Sequence, residues 1–137
     1  MARIGLFNAE QTRWLRFDSD TEICIRFLNK EDLTEITKKA IKRAKMTGAD
    51  HDRVSNQLVG AAAVKGWRNA KNHNHPGLLN ADGAPIPFTD ENRDMLMRYC
   101  REFSNFVNDA AIDSKRFLEQ EEEAAEEAEL VEELKND

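Results

Sequence analysis

The chain lacks the features that would place it in a membrane or in an oxidising compartment. No apolar run approaches the roughly 18 residues of a transmembrane helix, and the short run from Ile4 to Phe7 is too brief for a secretory signal. Cys24 and Cys100 stand far apart without a CxxC spacing. This spacing favours reduced core residues of a cytosolic protein over a disulfide or a metal site.

The sequence also lacks the motifs that mark common catalytic centres. It contains no nucleophile elbow, no glycine-rich phosphate loop and no HExxH zinc motif. His73 and His75, with Asp82 downstream, offer possible metal ligands, but the further paired ligands that complete a zinc site are missing. We therefore predict a polar loop with solvated imidazoles, no metal, no cofactor and no enzymatic activity.

Charge is divided unevenly along the chain. Residues 119–137 carry ten acidic side chains and one basic one, so the total charge of −6 leaves +3 for residues 1–118. The length of 137 residues fits one domain. We predict an N-terminal arm at residues 1–11, a folded body at residues 12–118, and an acidic tail at residues 119–137. The tail is expected to be helical or disordered and to favour solubility.

Two short strands are predicted near the N-terminus, at residues 14–18 and 22–27, around a run of turn formers. The strand period of two puts five apolar side chains on one face of this hairpin: Leu15, Phe17, Ile23, Ile25 and Phe27. The opposite face carries Trp14, Arg16, Cys24 and Arg26. A lone hairpin is marginally stable in water, so it must pack against helices.

Three later segments have the apolar spacing of helices. The first begins at the N-cap Asn29 and runs to about Met46, the second spans about residues 52–67, and the third begins at Thr89. The fold class is therefore mainly α with a small N-terminal β-hairpin, an α+β fold with three main helices of which the last is long. The predicted core residues are Phe17, Ile25, Leu33, Ile36, Leu58, Trp67, Phe88, Leu96, Tyr99 and Phe103.

A long connection joins the second and third predicted helices. Arg68 to Phe88 is 21 residues of polar, turn-rich sequence. Connections of this length in a small domain are usually functional or disordered. The aromatic residues at its two ends, Trp67 and Phe88, predict that it is anchored in the core.

One candidate partner surface is the outer face of the hairpin. Trp14 with Arg16 and Arg26 forms either a cation–π cluster exposed for a partner or a cover over the edge of the core. The sequence does not separate these two interpretations, because tryptophan is enriched in both settings.

The other candidate surface is the basic side of the first helix. It carries Lys38, Lys39, Lys42 and Arg43, a pattern that would follow a nucleic-acid backbone. No aromatic residues interleave with these cations, so a solvated helix face is the favoured interpretation and nucleic-acid binding is not expected. A third possibility is that the acidic tail folds back onto this face.

The order of these features, over roughly residues 12–118, resembles a known family. The matching motifs are Ile23-Cys24-Ile25-Arg26-Phe27, Glu31-Asp32-Leu33-Thr34-Glu35-Ile36, Leu58-Val59, Val64-x-x-Trp67, Asp82-Gly83 and Ile86-Pro87-Phe88-Thr89-x-Glu91-Asn92. Followed by a helix and a Glu-rich end, they resemble the tail assembly chaperones of long-tailed phages and prophages, which are encoded just before the tape measure protein.

The resemblance implies a non-enzymatic protein that binds the tape measure protein and keeps it soluble while the tail tube polymerises around it. It also implies a host-cytoplasmic protein that is absent from mature virions, with the tail tube protein as a possible second partner. The alternative is a structural head–tail adaptor or a small regulatory or nucleic-acid-associated phage protein.

Overall fold

The computed structural model describes residues 11–113 and shows an α+β fold that is mostly helical, which confirms the predicted fold class. The N-terminal arm up to residue 10 and the acidic tail lie outside the described residues. The elements are β1 Thr12–Arg16, β2 Thr21–Arg26, α1 Lys30–Thr47, α2 His51–Ala63, β3 Val64–Asn69, α3 Asp90–Tyr99 and α4 Arg101–Ile112. None of these helices is long and apolar enough to cross a membrane.

The sheet has three antiparallel strands in the order β1-β2-β3. The Asp18 carboxylate accepts the backbone N–H groups of Asp20 and Thr21 and so closes the β1–β2 turn. Leu15, opposite Ile23 across the pair, is buried, as predicted for the inner face of the hairpin.

The third strand replaces the end of the second predicted helix. The prediction that this helix continues to Trp67 is wrong, because the helix ends at Ala63 and the chain turns directly into β3. There Val64 and Trp67 pair with Ile25 and Ile23 of β2. The free edge of β2 supplies backbone partners that the local apolar pattern does not reveal.

The helix ends agree with their capping residues. Asn29 and Asp32 form a reciprocal capping box at the start of α1, and Gly48 ends α1 in a left-handed conformation at φ 72°. Asp50 and Thr89 cap α2 and α3 through their side chains. The long third helix of the sequence-based prediction is instead two helices, α3 and α4, that meet at Cys100.

The core lies between the inner face of the sheet and helices α2, α3 and α4, and α1 adds Ile36 to it. Among the predicted core residues, Ile25, Ile36, Trp67 and Phe103 are buried. Four others are partly buried against this cluster: Phe17, Leu33, Leu58 and Leu96.

Two predicted core residues are placed differently by the structure. Phe88 is 37% exposed and packs edge-on against Trp67 at the boundary of the core, with ring centroids 4.8 Å apart. Tyr99 is 71% exposed, so its assignment to the core is wrong. Because α3 and α4 are separate helices, their residues do not follow one continuous helical spacing. Met97, which is 2% exposed, therefore points into the core in place of Tyr99.

Candidate functional site

A groove of about 800 Å³ opens between α2 and the corner where α3 meets α4. Its polar lining includes Arg53, Asn56, Gln57, Asp94, Ser104 and Asn108, and Met95 and Tyr99 add apolar surface. Enclosed small-molecule sites are mostly apolar and cover most of their ligand. A polar, open groove between helices fits an elongated ligand such as a polypeptide segment better.

The corner that forms one wall of the groove is held by Asn56. The Met97 carbonyl lies in the last turn of α3, where carbonyls lack partners within the helix, and it accepts a hydrogen bond from Asn56 Nδ2. Asn56 Oδ1 accepts from Ser104 Oγ at 3.0 Å and from Asn108 Nδ2 at 2.8 Å. One side chain of α2 therefore binds the end of α3 and two consecutive turns of α4.

Gly60 lies one turn after Asn56 on the same face of α2. A Cβ atom at Gly60 would lie only 2.5 Å from Cγ of Met97, so glycine is what allows α3 to approach this closely. Asn56 thus fixes the backbone of Met97 while Gly60 accommodates its side chain.

The rim of the groove exposes an aromatic residue and its cationic neighbour. The guanidinium of Arg98 lies 4.8 Å from the centroid of the Tyr99 ring. Met95, one turn before Tyr99, is 45% exposed. Tyrosine, methionine and arginine are enriched at protein interfaces, and exposed aromatic residues supply large contact area at little entropic cost.

The outer face of the sheet carries a different cation–π pair from the predicted cluster. Within residues 11–113, the guanidinium that stacks on Trp14 is that of Arg68, 3.8 Å from the ring centroid. Arg68 also pairs with Glu22 at 3.0 Å. Arg16 donates to a carbonyl of its own hairpin turn, and Arg26 donates to a carbonyl at the end of α2. Whether a partner binds this face stays a prediction.

The basic face of α1 is exposed to solvent. Ile36 and Ala40 are buried, whereas Lys38, Lys39 and Lys42 are exposed, as is Arg43. These four candidate partner-binding residues lie on α1, away from the groove. Their role also stays a prediction.

The long connection between β3 and α3 is attached to the body at several points. Thr21 Oγ1 donates to the Gly77 carbonyl at 2.8 Å, and the Trp67 indole N–H donates to the Ile86 carbonyl at 2.8 Å. Gly77 has φ 81°, and a Cβ there would lie 2.8 Å from the Arg68 backbone. The connection is thus attached to the body near its middle and its end, in agreement with the anchoring predicted from its aromatic ends, while residues 71–74 and 79–85 are exposed.

His75 belongs to the loop considered for metal binding, and Cys24 is one of the two predicted core cysteines. His75 Nδ1 accepts the Gly77 N–H at 2.9 Å. Among residues 11–113, no group of three or more histidine, cysteine or acidic side chains is arranged to hold a metal ion. Burial raises the pKa of the Cys24 thiol, which keeps it protonated and weakly nucleophilic.

A family model described as YdaY prophage protein matches residues 26–128. This chain belongs to the YdaY prophage protein family. No curated protein and no solved structure matches the chain. The YdaY match begins at the last residue of β2 and includes all four helices, so the whole groove lies inside the family region. Membership supports the prophage part of the resemblance described above.

Proposed function

We propose that this YdaY family protein is a non-enzymatic assembly chaperone that binds a segment of the tape measure protein in the α2–α3–α4 groove. Binding would keep this partner soluble in the host cytoplasm until tail tube subunits enclose it. The observation that carries the proposal is the outward position of Tyr99 at the rim of an open groove.

The chemistry of the groove favours binding over catalysis. Asp94, the acidic residue on the α3 wall, accepts hydrogen bonds from Arg93 and Gln57, at 3.3 and 3.4 Å. Its carboxylate is therefore engaged in structural contacts, and of the two other carboxylates that line the groove, Asp50 caps α2 and Asp52 lies 3.5 Å from His51. No histidine or cysteine of the described chain lines the groove. A site of this composition supplies directional hydrogen bonds around an aromatic anchor, which is the arrangement of a protein-recognition surface.

The rigid construction of the groove supports recognition of a polypeptide segment. The Asn56 hydrogen bonds fix the angle between α3 and α4, so the walls are formed before a ligand arrives. A preorganised site loses less entropy on binding than one that must be ordered. A polypeptide segment lying between α2 and the corner would contact Tyr99 and Met95 at the rim.

Tyr99→Ala should weaken binding of the tape measure protein by about 30-fold, the change in Kd expected when an aromatic anchor worth about 2 kcal/mol is removed. The partner to test is the product of the long helical reading frame expected immediately downstream. Binding would be measured by co-purification and by titration with fragments of that protein. Because Tyr99 is 71% exposed, the melting temperature should change little.

The matched control is Met46→Ala. Met46 is 76% exposed near the end of α1 and does not line the groove, so its removal should leave Kd within about twofold. Equal affinity for the Tyr99→Ala and parent proteins would remove the groove from the proposal. Absence of any binding to the tape measure protein by the parent would remove the proposed function itself.

A chaperone that is released during assembly should be absent from finished particles. Mass spectrometry of virions purified after induction of the prophage should therefore detect the tail tube protein but not this chain. A constant copy number of this chain per particle would instead identify it as a structural adaptor.

A further inference from the structure

The exposed side of α1 carries a stripe of charges whose sign changes along the helix. Five residues recur at intervals of four, three, four and three positions, and this spacing puts them on one face. From the start of α1 to its end, they are Glu31, Glu35, Lys38, Lys42 and Lys45. Lys39 and Arg43 widen the basic half. The stripe is therefore acidic at its first end and strongly basic at its second.

The basic half of this stripe is not neutralised by the body of the protein. The ion pairs of residues 11–113 involve other cations, and none of the described carboxylates pairs with Lys38, Lys42 or Lys45. Clustered like charges on one helix face repel one another. A polyanionic ligand would therefore reduce this repulsion as well as form new contacts.

The chain after α4 begins beside the start of α1. The backbone N–H of Leu28 donates to the Ala111 carbonyl at 2.7 Å, which places the end of α4 beside the residue before the α1 cap. The segment that follows α4 is therefore tethered beside the start of α1.

The charges of that following segment occur in the complementary order. Lys115 and Arg116 come first, and the ten acidic residues of positions 119–137 come after them. The spacing also matches: Lys115, Glu119, Glu122, Glu126 and Glu129 recur at four, three, four and three positions. A segment that runs parallel to α1 would thus place its cations near Glu31 and Glu35 and its glutamates near the basic half.

The distances permit this arrangement. The basic half of α1 begins about 12 Å along the helix from Lys30, at 1.5 Å per residue. The seven residues from Ile112 to Glu119 cover about 10 Å as a helix or up to about 23 Å when extended. The acidic residues reach the lysines in either conformation.

We propose that residues 119–137 of the chain bind the basic half of the α1 stripe, with residues 115–116 beside its acidic half. This intramolecular contact neutralises α1 and keeps it from binding other polyanions. It holds whether or not the groove binds the tape measure protein, because the two surfaces share no residues.

Zero-length carbodiimide crosslinking of the full chain tests this contact. At low salt, peptides containing Lys38 and Lys45 should be joined to peptides from residues 119–133, and these links should form within one copy. A mixture of isotopically light and heavy protein separates links within one chain from links between chains. Raising ionic strength to about 0.5 M should reduce the yield at least about fivefold, because exposed ion pairs are screened.

The decisive variant combines Lys39→Glu with Lys42→Glu. The crosslink yield is measured at Lys38 and Lys45, because the parent protein and the variant both retain these lysines. The yield should fall about tenfold, because two attractive charges become repulsive ones. The control is Lys65→Glu with Lys71→Glu, two exposed lysines outside α1, and it should leave the yield unchanged. Equal losses in both variants, or links found only between copies, would overturn the proposal.

Discussion

Replacement of Trp67 by alanine should lower the free energy of unfolding by about 3–5 kcal/mol, the cost of truncating a large buried aromatic residue. Trp67 is 5% exposed, and its ring meets those of Phe88 and Phe103 edge-on, with centroids 4.8 and 5.8 Å away. Its indole N–H also donates to the Ile86 carbonyl at 2.8 Å. The substitution therefore removes core packing and one attachment of the long connection together.

Urea unfolding followed by far-UV circular dichroism measures this loss. Trp14→Ala is the matched control, because Trp14 is half-buried on the outer face of the sheet and should cost less than half as much. Trp67→Phe separates the two contributions of Trp67, since it keeps most of the packing but removes the donor to Ile86; we expect about 1–3 kcal/mol. Equal losses for the two alanine variants would show that Trp67 is not a central core residue.

The parts of the fold that the sequence predicts correctly depend on local signals. The period of two identifies the inner face of the hairpin through Leu15, Ile23 and Ile25, since burial and alternation coincide there. The limits of α1 follow from Asn29 and Gly48, which satisfy the helix ends with their own atoms. These features need no knowledge of distant residues.

The third strand is missed for a different reason. Val64 and Trp67 extend the apolar spacing of α2, and so short an apolar pattern does not by itself distinguish a helix from a strand. Their conformation is set by pairing with Ile23 and Ile25, some 40 positions earlier. Gly66 is the residue in the sequence that argues against a continuing helix, because glycine weakens a helix. In the structure Gly66 lies opposite Cys24, and its lack of a Cβ lets the Trp14 ring lie 3.4 Å from where that atom would be.

The candidate site was the part that the sequence predicted least. No proline or glycine marks the break at Cys100, so the spacing from Leu96 to Phe103 predicts one continuous helix and places Tyr99 in the core. Asn56 and Gly60 lie four positions apart on one face of α2, and this pair indicates a close contact of that face with another element. Nothing in the sequence identifies Met97 as the partner. At this break, Asn56 of α2 binds the Met97 carbonyl and two residues of α4, a contact between distant positions that no local pattern indicates.

Asn56→Ala should therefore destabilise the protein by about 1–3 kcal/mol, the cost of leaving hydrogen-bonding groups without their partner, although Asn56 is only partly buried and contributes no apolar core surface. The substitution leaves the Met97 carbonyl without its side-chain donor and removes the acceptor for Ser104 and Asn108. Without Asn56, α3 and α4 should open toward solvent or join into a straighter helix.

Two measurements distinguish this effect from a general loss of stability. Hydrogen exchange should accelerate first at residues 98–104, and affinity for the tape measure protein should fall under conditions where the variant is still folded. Gln57→Ala is the control on the same helix, because its single side-chain bond, to Asp94, is 3.4 Å long and exposed, and it should cost less than about 0.5 kcal/mol. If Asn56→Ala behaves like Gln57→Ala, the break at Cys100 is held by the packing of Met97 on Gly60, and the shape of the groove does not depend on the Asn56 hydrogen bonds.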